Sequence, residues 1–310
     1  MKILGSAESF GKIILTGEHA VVYNRPAIAF PFKGLKTKVT IYETNDEITI
    51  ESKHFNGYLD MSENHILGLK KIMLTLLDKF EKPRFGLHIK IESNNISGRG
   101  LGSSAAVSVA LTKALYSAFK IKENDEEIYN YAMLAEEIHH TNPSGLDVAT
   151  LVYNKPIWFV KGKAFSTVEL NFKATILIID IGMESQTKLA VEHVRSLYKR
   201  DENKINSIFD NIKEISFNAR KALLNNDFIS LEEALFNNQD NLVKLEVSND
   251  RINEIIDFLR QKGIKGAKIT GGGMGGCLIA LVKDQKNALD VKKTLVDKGI
   301  NNVWYYTIGE

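Results

Sequence analysis

The chain of 310 residues has one cysteine, Cys277. A single thiol excludes an intramolecular disulfide and a cysteine-built metal cluster, and it fits a reducing compartment. Charge of one sign is equally scarce. Against 40 basic residues stand 38 acidic ones, a net of +2, which gives no drive toward nucleic acid or a membrane surface. No window approaches the roughly 18 uninterrupted apolar residues of a membrane helix. The opening MKILGSAESFGKIIL reaches Glu8 before any long apolar run. No secretory signal is therefore expected, and the chain is expected to be cytoplasmic. Internal repeats and low-complexity tracts are lacking too. What is present is 44% hydrophobic and 25% charged residues, a globular composition able to close a sizeable core. The length suggests about two domains of roughly 150 residues each.

In the first half, residues 37–43 and 47–53 put Val39, Ile41, Ile48 and Ile50 at period two around Asn45-Asp46, which predicts a hairpin. Ile66, Leu69, Met73, Leu76, Leu77 and Phe80 recur at helical spacing before Pro83. Leu87, Ile89 and Ile91 return to strand alternation, and residues 125–140 read as a helix ending before Asn142-Pro143. In the second half, ATILIIDIG (174–182) has the near-continuous apolar run of a buried central strand. A helical region from about Thr187 to Leu245 follows, broken near 199–203 and at Asn225-Asn226. The next helix is capped by Ser248 or Asn249 and stopped by Gly263. Strand KGAKIT, the run GGGMGG, strand CLIALV, a helix and strand NVWYYTI complete the chain. This order is the split β-α-β pattern of a ferredoxin-like domain. The expected fold class is α+β, with domains 1–172 and 173–310.

Gly98, Gly100 and Gly102 alternate ahead of Ser103 and Ser104 and a small-residue helix. A glycine loop feeding a helix presents backbone N–H groups at the positive end of the helix dipole, a general anion site. The serine hydroxyls add oxygen ligands of the kind Mg²⁺ prefers. A plain capped turn satisfies the same spacing. The loop is not a P-loop: the nearest approach to G-x-x-x-x-G-K-[ST], GSAESFGKI, has one residue too many and Ile13 at the Ser/Thr position. GGGMGG is followed by a strand instead of a helix, which removes the dinucleotide-binding reading.

Three segments, GKIILTGEHAVVYNRPAIA, GRGLGSSAA and KITGGGMGGCLIAL, together resemble the GHMP small-molecule kinases. Their order spans nearly the whole chain. GEHAVVY with HTNPSGLD is most similar to the branch of that family that phosphorylates mevalonate. There are departures: Ser9-Phe10 stands where Ala-Pro is common, Thr141 where eukaryotic members have Gly, and Met274 interrupts a small-residue run. The resemblance implies a first domain like the second domain of ribosomal protein S5, a ferredoxin-like second domain, and ATP bound in the cleft between them. It also implies transfer of phosphoryl from ATP, with Mg²⁺, to the 5-hydroxyl of (R)-mevalonate. The expected partners are these small molecules, and a homodimer is compatible with the family. Other acceptors in the family are phosphomevalonate, the 3-hydroxyl of mevalonate, or a sugar. A non-catalytic sensor would be favoured by loss of Lys12 or Asp147, and both are present.

By the same resemblance, Asp147 accepts or orients the substrate hydroxyl proton, and Lys12 neutralises the transferring group. On spacing alone, Ser144-x-x-Asp147 also fits a capping box. Gly98, Arg99, Gly100, Leu101, Gly102, Ser103, Ser104 and Ala105 are expected around the ATP phosphates, with Ser104 and Glu136 on Mg²⁺. Arg99 reads equally as exposed or as reaching phosphate. Glu137 is expected on the solvent side of its helix. Substrate contacts are expected from Glu18, His19, Thr187, Arg195, Gly272 and Gly273, with Arg195 as a partner for a carboxylate. His139-His140 have the residue type of metal ligands, but adjacent residues on a helix do not readily face one ion. Cys277 is expected as a buried small hydrophobe.

Overall fold

A computed structural model describes residues 1–61, 66–139 and 143–309. In chain order the strands are β1 (Ile3–Thr16), β2 (Ala27–Glu43), β3 (Thr49–Glu51), β4 (Asn56–Tyr58), β5 (Leu87–Ser93), β6 (Ile157–Phe159), β7 (Ser166–Thr167), β8 (Ala174–Asp180), β9 (Ala267–Thr270), β10 (Cys277–Val282) and β11 (Val303–Ile308). The helices are α1 (Leu67–Lys79), α2 (Ser103–Ala118), α3 (Asp125–His139), α4 (Leu146–Tyr153), α5 (Thr187–Arg200), α6 (Glu202–Asn225), α7 (Phe228–Lys244), α8 (Asp250–Gln261) and α9 (Gln285–Asp297). The chain forms two compact units. One comprises Met1–Gly11, Leu35–Ile96 and Gly102–Asn154; the other comprises Lys12–Gly34, Ser97–Leu101 and Lys155–Glu310. The class is the α+β expected from the sequence.

In the first unit, α1 to α4 pack against strands through a core that includes Val39, Ile41, Ile89, Leu76, Val109 and Ala132. Residues 37–43 lie in β2 and residues 49–51 of the second stretch form β3, but the two do not form a hairpin. β5 lies between them, antiparallel to β2 with Ile41 opposite Ile89, and parallel to β3 with Ile50 opposite Ile89. β3 finds its antiparallel neighbour in β4. Period-two patterning fixes which face of a strand is buried; it carries no information on which strand pairs with which. A seven-residue β5 with Leu87 and Ile89 facing the core is the better partner for both.

The second unit is built on a four-stranded antiparallel sheet in the order β11-β8-β10-β9, the ferredoxin-like arrangement. All seven residues of β8 are buried, as their continuous apolar run requires. The helical region breaks where the sequence indicates. Asp201 caps α6 and Asp227 caps α7, each side chain accepting a hydrogen bond from the first-turn backbone. Asn249, not Ser248, caps α8 by accepting from Ile252 N. Gly263, with φ +83°, follows the end of α8. The apolar faces of α5, α6, α8 and α9 close over Leu177, Ile179, Ile269, Leu278 and Val303. Among the described residues, no helix is long and apolar enough to cross a membrane.

Candidate active site

The glycine loop begins in the second unit. Gly98, Gly100 and Gly102 all have positive φ, +70°, +74° and +75°, a conformation that glycine adopts without steric cost. The alternation therefore encodes a repeated left-handed turn of the backbone. Gly98 O accepts from Ser185 N at 2.7 Å, and Leu101 O accepts from Lys12 N at 2.9 Å. The Arg99 side chain donates through Nε to Asp180 Oδ2 at 3.0 Å, with the carboxylate almost fully buried at the end of β8.

GGGMGG connects β9 to β10, and its glycines answer to different neighbours. A Cβ on Gly271 would lie 2.9 Å from Gly100 O, and one on Gly276 would lie 2.8 Å from Arg99 O. On Gly275 it would meet Glu184 O at 2.1 Å, on Gly273 Val247 O at 2.5 Å, and on Gly272 the Thr187 Cα at 2.9 Å. A tight hairpin accounts for one or two glycines; close approach of three other segments, 99–100, 184–187 and Val247, accounts for the rest.

In the first unit, Gly102 is the N-cap of α2 and no side chain caps it. The first-turn N–H groups of such a helix have no intrahelical partner and face outward as donors. Ala105 is buried, Ser103 half-buried and Ser104 exposed. Ser104 Oγ donates to Glu136 Oε1 at 3.0 Å, and Glu136 is 8% exposed. Glu137 next to it faces solvent, as helical geometry requires. A hydroxyl and a carboxylate this close form a hard two-oxygen donor set. Among the described residues, no cluster of three or more His, Cys, Asp or Glu could hold a metal. A site with few protein ligands suits Mg²⁺, which keeps waters and phosphate oxygens in its shell. His140, Thr141 and Asn142 lie outside the described residues, and with them the His139-His140 pairing. Asp147 is half-buried in the first turn of α4, where the helix dipole favours its negative charge. The capping box is not formed. Gly145, at φ +83°, is the N-cap, and Ser144 Oγ accepts from Leu146 N at 3.2 Å. A Cβ on Gly145 would collide with Tyr129 Oη.

The GEHA segment belongs to the second unit. Lys12 is 2% exposed within β1. Glu18 forms a buried ion pair with Lys268 and also accepts from Asn238 Nδ2 at 3.2 Å. Lys268 is fully buried and donates to Ile269 O as well. Burial pushes its ammonium below the usual lysine range, while Glu18 opposes that shift. His19 has φ +60° and ψ −48°, and Ala20 N donates to Glu18 O at 2.7 Å. This is a γ-turn with positive φ at its centre, a strained conformation for a residue with a Cβ. The ring holds the turn: its Nε2 lies 2.9 Å from Gly272 O. A carbonyl only accepts, so Nε2 carries the proton and Nδ1 is an acceptor. Burial lowers the His19 pKa to about 4, outweighing the carbonyl bond that raises it. The imidazole is therefore neutral near pH 7.

The structure thus brings Ser104 to Glu136, and His19 to Gly272, which abuts Thr187 at the start of α5. Thr187 Oγ1 also shares a 3.0 Å hydrogen bond with Ser185 Oγ. Arg195 is exposed two turns further along α5, and its charge acts on Tyr23. Glu18, expected to face substrate, is 1% exposed and directed at Lys268. Cys277 is fully buried, its thiol pKa pushed up by burial. Sequence reasoning did not find Lys268, Asn238 or Asp180. A lysine between Ala267 and Ile269 in a short apolar strand, and an aspartate between Ile179 and Ile181 in the apolar run 174–182, are the signals that two of them left.

The comparisons with known proteins define the class. Residues 67–155 match the GHMP kinases N terminal domain, and residues 219–301 match the GHMP kinases C terminal model. The chain belongs to the GHMP kinase family. Within it, relatives that align over most of the chain at about 30% identity include mevalonate kinases of several archaea. That of Saccharolobus solfataricus is 32% identical over 305 residues, covering 93% of this chain and 96% of the relative. Among solved structures, the L. major mevalonate kinase in complex with R-mevalonate has a TM-score of 0.82 at 25% identity, covering 98% of this chain and 95% of that one. Streptococcus pneumoniae phosphomevalonate kinase, in complex with phosphomevalonate and AMPPNP, has a TM-score of 0.84 at 16% identity, covering 98% and 99%. Backbone similarity alone therefore does not discriminate the acceptor.

Proposed function

We propose that this chain transfers the γ-phosphoryl group of ATP to the 5-hydroxyl of (R)-mevalonate, giving 5-phosphomevalonate and ADP. The observation that carries the reading is the 32% identity to a mevalonate kinase across nearly the whole chain. Lys12, Ser104, Glu136 and Asp147, the residues that the family resemblance singles out, are all present in the sequence. In this reading the chain divides near residue 172 into an ATP-binding and a ferredoxin-like domain and works in the cytoplasm.

The hydroxyl oxygen forms a bond to the γ-phosphorus as the bridging bond to the β-phosphate breaks, and ADP leaves. Asp147 takes the hydroxyl proton. Lys12 offsets charge on the transferring group. The glycine-loop and first-turn N–H groups, Gly98 to Ala105, cradle the phosphates. Ser104 and Glu136 would hold Mg²⁺, which supplies charge neutralisation on the phosphate oxygens when bound. His19 Nδ1 accepts a hydrogen bond from the substrate. Thr187, Arg195, Gly272 and Gly273 complete its surroundings, and Glu18 acts through the turn it supports. A coupled ADP-release assay across mevalonate, phosphomevalonate, galactose and homoserine tests the reading. Turnover confined to mevalonate is expected; turnover of another acceptor in preference to it would overturn the assignment.

A further inference from the structure

The segment Ser97–Leu101 is fastened at three points within its own unit. Gly98 O accepts from Ser185 N at 2.7 Å, Leu101 O accepts from Lys12 N at 2.9 Å, and between them Arg99 is bonded to Asp180 at 3.0 Å. The first two are backbone bonds that almost any sequence could make. The third is the one that side chains determine. Asp180 is itself held firmly: its Oδ1 accepts from Gly182 N at 2.9 Å, its Oδ2 lies 3.4 Å from Asn302 Nδ2, and its backbone N donates to Asn302 O at 3.0 Å. The carboxylate is 2% exposed and the Arg99 side chain 18%. A guanidinium committed through Nε to a buried, anchored carboxylate is poorly placed to swing toward a ligand. The backbone around it must hold three left-handed residues in five, and holding a flexible glycine segment in one arrangement carries a large entropic cost.

The geometry points to Arg99 as a positioning residue: its ion pair with Asp180 latches the glycine loop in the shape that receives the nucleotide phosphates, and Arg99 is not itself a phosphate ligand. The inference rests on the ATP-binding reading above and assigns Asp180 a part in it.

The test is a double-mutant cycle on the full chain, with Arg99→Met, Asp180→Asn and the pair, read by calorimetric binding of a non-hydrolysable ATP analogue with Mg²⁺ and by thermal melting. Each single substitution is expected to weaken nucleotide binding by about tenfold, and the double by no more than the worse single, because both remove one latch. Arg99→Lys, which keeps a charge but loses the planar fork, should fall between wild type and Arg99→Met. It also serves if the methionine variant does not fold. A loss of binding in Arg99→Met with unchanged or tighter binding in Asp180→Asn would overturn the proposal and make Arg99 a phosphate ligand. Lower melting temperatures with unchanged nucleotide affinity in both would reduce the pair to a structural contact. Wild-type protein that binds no ATP analogue would remove the underlying functional reading instead.

Discussion

His19 links a strained turn to a pH dependence that can be worked out in advance. In the folded chain its pKa is lowered to about 4, chiefly by burial; in the unfolded chain it is ordinary, about 6.5. As pH falls through this window the unfolded chain takes up a proton that the folded chain refuses, so folding stability falls. Well above about pH 6.5 both states hold a neutral imidazole, and the group contributes no slope. Integrating between the two values, a drop from about pH 7.5 to about pH 5 costs roughly 2 kcal/mol from His19 alone. His19→Gln keeps an N–H that reaches toward Gly272 O but cannot titrate. Urea unfolding of wild type and His19→Gln at the two pH values isolates the term, because the other groups cancel in the comparison. Wild type should lose about 2 kcal/mol more than the variant. Equal losses would show that the folded chain protonates His19 as readily as the unfolded one, and the argument for a neutral ring with an accepting Nδ1 would fail with it.

Three further outcomes follow from the site. Asp147→Asn should lower kcat by about 10²–10⁴-fold, the range for removal of a general base, while nucleotide binding measured by calorimetry stays within a few-fold of wild type. Near-normal turnover would remove the assigned role. Ser104→Ala and Glu136→Gln should each raise the Mg²⁺ concentration needed for half-maximal rate, and an unshifted titration would exclude them as ligands. Lys268→Met leaves Glu18 buried without its counter-charge and should cost about 3–5 kcal/mol in a denaturant melt. Adding Glu18→Gln to that variant should recover most of the loss; a double variant as unstable as the single would contradict the ion-pair account.

Much of the second unit could be read from local chemistry. The apolar run at β8, the helix breaks near 199–203 and 225–226 and the cap at Asn249 each depend on residues within a few positions of themselves. The glycine loop was legible for the same reason, since positive φ is demanded at Gly98, Gly100 and Gly102 individually. Strand partnering was not legible. Residues 37–43 and 47–53 are adjacent in sequence, yet β5, from some forty residues on, separates them. The polar contacts that organise the site were hidden by distance in the chain: Glu18 and Lys268 are 250 residues apart, and Arg99 and Asp180 are 81 apart. Lys268 and Asp180 each stand out as a charge in an apolar strand, but nothing around them names the partner, so only the fold reveals which residues meet. The Asp147 capping box shows the opposite failure. Its spacing was right, but Gly145 took the cap because a glycine enters that turn at φ +83° without strain.

Met274 gives the loop between β9 and β10 an uneven tolerance for change. Five of its six positions are hemmed in by other segments at distances no Cβ can occupy. Met274 carries its side chain partly buried against the apolar core of its unit, and its N donates to Val247 O at 2.7 Å. A library randomised across 271–276 should therefore return functional clones that vary almost solely at 274. Asparagine and glycine should be enriched there beside methionine, since this residue too sits at positive φ, +55°. For anyone redesigning this loop, that one residue is where it can accept a new side chain.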